Sequence, residues 1–339
     1  MLEPLGLLHG AEAEVAVGKG QALWLAGGPS AFLLVRDLDL LGVIFPATAT
    51  PISWTDGVAR LTRPTPAWAG FSEWPVVMGI LNLTPDSFSD GGVYLDPERA
   101  IAAGLGMVAA GAGIVDLGGE STRPRESRPV SPAEEQARIL PVVGALAGAG
   151  VVVSVDTRNA ATMEAALAAG ARIVNDVSGL SHDPAAVHVV ARHRCPVILM
   201  HMRGTPETMH THARYGDVAQ EVVQELGRRL AWAEAADVET AQIALDPGIG
   251  FAKTPAQNVA LLNRLPALTG LGRPILTGLS RKRFVRMLGG SSVPAESDPG
   301  SIAGALFAFG RNAAILRVHD VSGTVQALRV WKGLMNCGI

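Results

Sequence analysis

The sequence predicts an α/β protein, a (β/α)8 barrel with a small β-rich appendage at its N-terminus, and three observations predict it. Eight short apolar runs each end in polar residues: Met78 to Asn82, Ile114 to Asp116, Val151 to Asp156, Ile173 to Asp176, Val197 to His201, Ile243 to Asp246, Ile275 to Ser280 and Ile315 to Asp320. Ala-rich stretches with helical spacing lie between them, among them Pro97 to Gly111, Ser131 to Gly150, Arg158 to Gly170 and Tyr215 to Asp237. Strand alternating with helix over roughly 250 residues is what a closed barrel requires, and its active site lies where the strands end. The polar ends are also spread over all eight runs, whereas an open doubly wound sheet, the alternative, usually shows one dominant Gly-rich turn.

The first 72 residues fall outside this pattern. Ala22 to Leu25, Ala31 to Val35, Gly42 to Phe45 and Val58 to Leu61 read as short strands between turn residues, and the Pro-rich stretch Arg63 to Pro75 reads as a linker. No cluster there has evident chemistry. The expected division is therefore 1–72 for an extension and linker that pack on the barrel or a partner subunit, and 73–339 for the barrel. A chain of 339 residues with 48% hydrophobic content can bury a sizeable core. Its 28 basic and 31 acidic residues are interspersed and leave a net charge of -3, which argues against nucleic-acid binding. Cys195 and Cys337 form neither a disulfide framework nor a metal-type spacing, so a cytoplasmic setting is expected. The N-terminus carries Glu3 and no basic residue before its short apolar segment, unlike a signal or transit peptide, and no run is long enough to span a membrane.

At the first strand end, Met78, Ile80 and Leu81 suit a buried strand, while Asn82, Thr84, Asp86, Ser87, Ser89 and Asp90 need partners or water. Pro85 and Gly91-Gly92 mark a loop that can change shape and cover something. Phe88 within it either packs on the loop's own base or lines a ligand pocket. The second loop, Asp116 to Pro132, turns at Gly118-Gly119 and then presents Thr122 and Arg123 toward the same end. Arg123, Arg125 and Arg128 in so short a stretch suggest an anion, with a solvated basic face the other reading for the last two.

Asp156, Asn175 and Asp246 each follow several apolar residues, so a packed barrel should hold their backbones at its mouth. Acceptors in a partly apolar pocket suit a flat ligand with adjacent N–H donors, such as a 2-amino-4-oxo heterocycle, because a mismatched ligand would leave them unpaired. No His/Cys cluster suits zinc, no Walker-type phosphate loop is present and no Ser-His-Asp order is evident. His201, His210 and His212 lack ligand spacing and read as loop residues. The last two strand ends supply cations: Ser280-Arg281-Lys282 follows the seventh, and Arg317 and His319, two apart, point to one side of the eighth. Barrels often bind phosphate there, so a phosphate or diphosphate site is expected, an ion pair with Asp320 being the alternative.

The motifs NLTPDSFSDGG, DLGGESTRP, SVDT, VNDVSG, DPGIGFAKT, LSRK and RVHDV occur in order over residues 75 to 335, and together they resemble the dihydropteroate synthase family. That resemblance implies a TIM barrel that joins p-aminobenzoate to 6-hydroxymethyl-7,8-dihydropterin diphosphate and releases diphosphate in folate biosynthesis. It also implies a homodimer, a Mg²⁺ requirement and a sulfonamide target. Carried over residue by residue, it puts the pterin between Asp116, Asp156, Asn175, Asp246 and Lys282, with Met200 and Phe251 as apolar walls. Diphosphate would meet Asn82, Arg123, Arg317 and His319, with Asn82 also touching Mg²⁺. Thr122, Pro124, Phe88 and Ser280 would form the p-aminobenzoate site once the first two loops close. Catalysis would rest on Asn82, Arg123, Asp156, Lys282, Arg317 and His319, with Arg317 expected to serve the leaving group rather than either ring. Two residues depart from the family pattern: Arg125 and Ala252 stand where glycine is usual.

Overall fold

The structure, a computed structural model, describes residues 1–39, 42–84, 96–120 and 130–336. The N-terminal unit contains β1 (Leu2–Leu8), α1 (Gly10–Gly18), β2 (Leu23–Trp24), β3 (Ala31–Asp37), β4 (Ile44–Pro46) and α2 (Thr55–Thr62). Its sheet runs β1-β3-β2, with β4 on the free part of β3. Three of the four expected strands are present. The fourth, Val58 to Leu61, is instead part of helix α2, and β1 and α1 have no counterpart among the expected elements. A four-residue apolar run has no decisive period. Here tertiary contact chooses the helix: Leu61 is buried, and Gly57 packs so closely that a Cβ would lie 2.6 Å from Leu2 Cδ1.

The barrel strands are β5 (Val76–Asn82), β6 (Ile114–Gly118), β7 (Val153–Asp156), β8 (Ile173–Asp176), β9 (Val197–Met200), β10 (Ile243–Asp246), β11 (Leu276–Gly278) and β12 (Ile315–Val318). They coincide with the eight apolar runs. The parallel order is β10-β9-β8-β7-β6-β5-β12-β11, and a parallel bridge between Leu245 and Ile275 closes the ring. Helices α3 (Pro97–Ala109), α4 (Pro132–Gly148), α5 (Ala160–Ala168), α6 (Ala186–His193), α7 (Val218–Ala235), α8 (Pro255–Asn263), α9 (Arg283–Gly289), α10 (Asp298–Phe309) and α11 (Val321–Asn336) accompany them.

The helix starts are written locally. Asp96 caps α3 by accepting from the Glu98 N–H, Ser131 caps α4 from Glu134, and Thr254 and Gln257 form a reciprocal box on α8. Strands buried on both faces explain why β9 reads VILM without alternation.

The supposed linker plugs the lower end of the barrel. Trp68 is only 2% exposed and packs with Val76, Met78, Ile114, Ile173, Ile198, Leu276 and Ile315, many of them first residues of their strands. Its indole N–H donates to the Gln242 carbonyl at 2.7 Å. Trp68→Ala should therefore lower unfolding free energy by about 3–5 kcal/mol in denaturant titration, the range for truncating a large buried aromatic. A loss below about 1 kcal/mol would mean that the plug is dispensable.

A buried ion cluster ties the appendage to the barrel. Glu3, 1% exposed, accepts from Arg36 Nε at 2.9 Å and from Arg264 Nε at 2.7 Å, while Arg264 also donates to both Asp217 oxygens at 2.7 Å. A carboxylate this deep requires such partners, since an unpaired buried charge costs several kcal/mol.

Candidate active site

In-register parallel strands bring polar residues that are distant in sequence to one mouth. Asp156 pairs across strands with Asn175 and with Gly118, Asp116 lies opposite Ile80 and Ser154, and Asp246 lies opposite Met200. Arg317, from β12, reaches across the interior. Its Nε donates to Asp116 Oδ2 at 2.6 Å and a terminal nitrogen donates to Asp156 Oδ2 at 2.8 Å, while Asn175 donates to the same Asp116 oxygen at 3.1 Å. The other Asp116 oxygen, Oδ1, is buried with no hydrogen-bond partner. Such an acceptor is costly unless a ligand donor meets it.

This geometry adds a pairing that the sequence does not show. The sequence sets Arg317 apart, for the leaving group, from the carboxylates expected to read the ring; the structure places its guanidinium between two of those carboxylates. The reason is reach: β12 is hydrogen-bonded to β5 and β11, and a long side chain from it spans a narrow barrel. Burial pushes Asp156 above the usual carboxylate range, with Arg317 pulling it down and Asp116 raising it further.

A second group forms around Asp246. Its Oδ1 accepts from the Gly248 N–H at 2.7 Å, and burial raises its pKa against the pull of Lys282. Lys282 donates to the Ile249 carbonyl and stands 4.6 Å from the centre of the Phe251 ring. Burial pushes Lys282 down to about 8, with Asp246 opposing. Met200, at the end of β9, is buried. Gly250 has φ +86°, and a Cβ there would come within 2.9 Å of Lys282 Cδ, so this lysine needs the glycine. Ala252 adopts φ +48°, in the left-handed region. That explains why glycine is the easier choice at this position, alanine costing about 1–2 kcal/mol there.

Ser280 and His319 meet directly: the hydroxyl lies 2.9 Å from His319 Nδ1 and also accepts from the His319 backbone N–H at 3.2 Å. Asn82 ends β5, and its Oδ1 and Asp156 Oδ2 flank the position a Cβ on Gly118 would take, at 3.6 and 3.8 Å. Arg281 belongs elsewhere, pairing with both oxygens of Asp298 at 2.8 Å. Phe88, Thr122, Arg123, Pro124, Arg125 and Arg128 lie outside the described residues, as do most of the two loops expected to close.

Among the described residues, no group of three His, Cys, Asp or Glu is arranged to hold a metal ion. The donor chemistry still suits Mg²⁺ held chiefly by phosphate oxygens: the Asn82 amide supplies one hard oxygen, and Mg²⁺ typically takes one or two protein ligands beside substrate phosphates.

Sequence reasoning missed a buried network beside this site. His201 is not a free loop residue: it is 4% exposed, with Nδ1 3.0 Å from Lys253 Nζ and Nε2 2.9 Å from Glu225 Oε2. Arg203 also donates to Glu225 and, at 2.7 Å, to Glu221. The available signal was helical: Glu221 and Glu225 are four apart on α7 and share one face. A further pair, Arg158 donating to both oxygens of Glu120 at 2.8 and 3.1 Å, sits where β6 gives way to its loop.

The profile of the family described as pterin binding enzyme matches residues 78–319. The chain is similar to the dihydropteroate synthase of Neisseria meningitidis serogroup C, at 46% identity over 264 residues that cover 77% of this chain and 93% of the relative. Among solved structures it resembles Xanthomonas albilineans dihydropteroate synthase with 4-aminobenzoic acid, at 46% identity and TM-score 0.72, covering 77% of this chain and 93% of that one. It also resembles that enzyme in complex with 7,8-dihydropteroate, at 44% identity and TM-score 0.70, covering 77% and 94%.

Proposed function

The chain belongs to the pterin binding enzyme family, and we propose that it works there as a dihydropteroate synthase. It condenses p-aminobenzoate with 6-hydroxymethyl-7,8-dihydropterin diphosphate to give 7,8-dihydropteroate and diphosphate, a step of folate biosynthesis. The observation that carries this reading is the unpartnered Asp116 Oδ1, a buried acceptor in a mouth that also holds Asn175, Asp246 and Lys282 between apolar walls. A flat heterocycle with adjacent N–H groups completes that set.

The reaction needs no protein nucleophile. The arylamine nitrogen attacks the exocyclic methylene carbon, the carbon–oxygen bond to diphosphate breaks with its electron pair leaving on oxygen, and the amine proton is lost as the new bond forms. Arg317, Arg123 and His319 act on charge growing on the departing diphosphate, and one such preorganised donor is commonly worth about 3 kcal/mol. Asp156 favours positive charge developing on the pterin. Bound Mg²⁺ would supply further neutralisation of the leaving group, with Asn82 as its protein ligand. Thr122, Pro124, Phe88 and Ser280 are assigned to p-aminobenzoate, and residues 73–339 form the catalytic unit in this proposal. A methyl-transferring pterin barrel would use the same acceptors, and with them the Arg317 pairing, but has no role for His319 or the Thr122-Arg123-Pro124 loop.

The chain is proposed to act as a cytoplasmic homodimer. Met287 and Leu288 on α9 are exposed apolar side chains of the kind that a second copy would cover. Burial pushes the Cys195 thiol up to about 12, which leaves it a poor nucleophile. No helix among the described residues is long and apolar enough to cross a membrane. Incubating the chain with the pterin diphosphate, p-aminobenzoate and Mg²⁺ is expected to yield dihydropteroate and free diphosphate in equal amounts. Absence of both at saturating substrate removes the synthase reading, and diphosphate released without dihydropteroate points to a hydrolase.

A further inference from the structure

The loop from Asp246 to Lys253 has an irregular path that needs external ties. Gly248, Gly250 and Ala252 all have positive φ, at +66°, +86° and +48°. Gly248 donates to Asp246, and Gly250 donates to Asn258 Oδ1 at 2.7 Å. The third tie is Lys253, 8% exposed, whose Nζ donates to the carbonyls of Gly248 and Phe251, both at 3.0 Å, and lies 3.0 Å from His201 Nδ1. Glu225 as a carboxylate can only accept, so the His201 proton sits on Nε2 and Nδ1 is left as an acceptor. Three acceptors around one nitrogen are the complement of an ammonium, since a neutral amine has two donors. Burial pushes Lys253 down to about 7, with Asp246 resisting, Lys282 adding to the fall, and Glu225 resisting.

The loop presents Phe251 and braces Lys282, two groups expected at the pterin on this side. The Phe251 ring lies under Lys282, and the Ile249 carbonyl accepts from Lys282 Nζ. Close packing leaves the backbone little freedom: a Cβ on Gly248 would fall 1.9 Å from the His201 carbonyl oxygen. Resting on the pterin reading above, we propose that Lys253 is a positioning residue for pterin binding, its ammonium fixing the loop through His201, Gly248 and Phe251 so that the Phe251 ring and Lys282 are set before the ligand arrives. Lys253 touches neither ring nor leaving group in this role.

The test uses the full-length chain and 6-hydroxymethyl-7,8-dihydropterin without diphosphate, titrated calorimetrically. Lys253→Met should weaken pterin binding by about 10- to 100-fold, the scale of an ångström-sized misplacement, while the KM for p-aminobenzoate stays within about twofold. His201→Ala removes one of the three partners and keeps both carbonyl bonds, so its loss should be smaller and in the same direction. It carries the test by itself if Lys253→Met does not fold. Unchanged pterin affinity in the folded variants overturns the proposal, and so does an equal change in both substrates, which would mark a general structural role. If the parent chain itself fails to bind the pterin, the functional reading falls, a result distinct from a parent that binds and variants that bind equally well.

Discussion

Arg317→Ala is expected to lower turnover by about 10²-fold or more, the cost of removing a preorganised donor from developing charge. The structure adds a second consequence. Asp116 and Asp156 would lose the cation they share, and breaking a buried ion pair from one side costs about 3–5 kcal/mol, so folding must be checked first. Without the pull of Arg317, the Asp156 pKa, already raised by burial, rises further. A carboxyl with a raised folded-state pKa binds more protons folded than unfolded, so its contribution to stability falls as pH rises through that window. Relative to the parent chain, the variant should therefore lose more melting temperature, or gain less, between pH 5 and pH 8. Extra Mg²⁺ should recover little, because it cannot supply paired guanidinium donors. A folded variant with parental turnover would make Arg317 a structural partner of the two carboxylates and nothing more.

Asp246→Asn should weaken binding of the free pterin by roughly 2–4 kcal/mol, the sum of a lost charge-assisted bond and a mispaired donor. The geometry confines the damage. Asparagine keeps an acceptor for the Gly248 N–H, so the loop can hold its shape, and turns an N–H toward the place where the second oxygen stood. Lys282 also loses the carboxylate that opposes its desolvation, so its pKa falls below about 8 and pterin binding should weaken at lower pH than in the parent. Calorimetric titration across pH 6 to 9 reads both effects. An unchanged dissociation constant for the free pterin would remove Asp246 from the recognition set.

Strand existence and order were legible because a barrel strand is buried on both faces, and burial leaves an apolar run that needs no partner to be recognised. The same runs located Asp116, Asp156, Asn175, Asp246 and Arg317 at one end of the barrel. Pairing was not legible. Arg317 and Asp116 are 201 residues apart, and nothing local distinguishes a guanidinium aimed at solvent from one crossing the mouth. His201 likewise looks like a polar residue after a strand until Lys253 and Glu225 close around it.

The N-terminal region marks the boundary most sharply. Its hydrophobic runs are too short to carry a period, so Val58 to Leu61 reads as a strand from sequence, whereas packing against Leu2 makes it part of helix α2. Prolines around Trp68 describe a chain without regular structure, which is correct locally and silent about the barrel floor that Trp68 fills. What the sequence determined alone is whatever depends on near neighbours: the eight strands, the capped helix starts, and which end of the barrel carries chemistry. What only the tertiary structure decided is how charges from different strands satisfy one another, because a buried ion or hydrogen-bond partner is selected by proximity in space, and the chain brings it from hundreds of residues away.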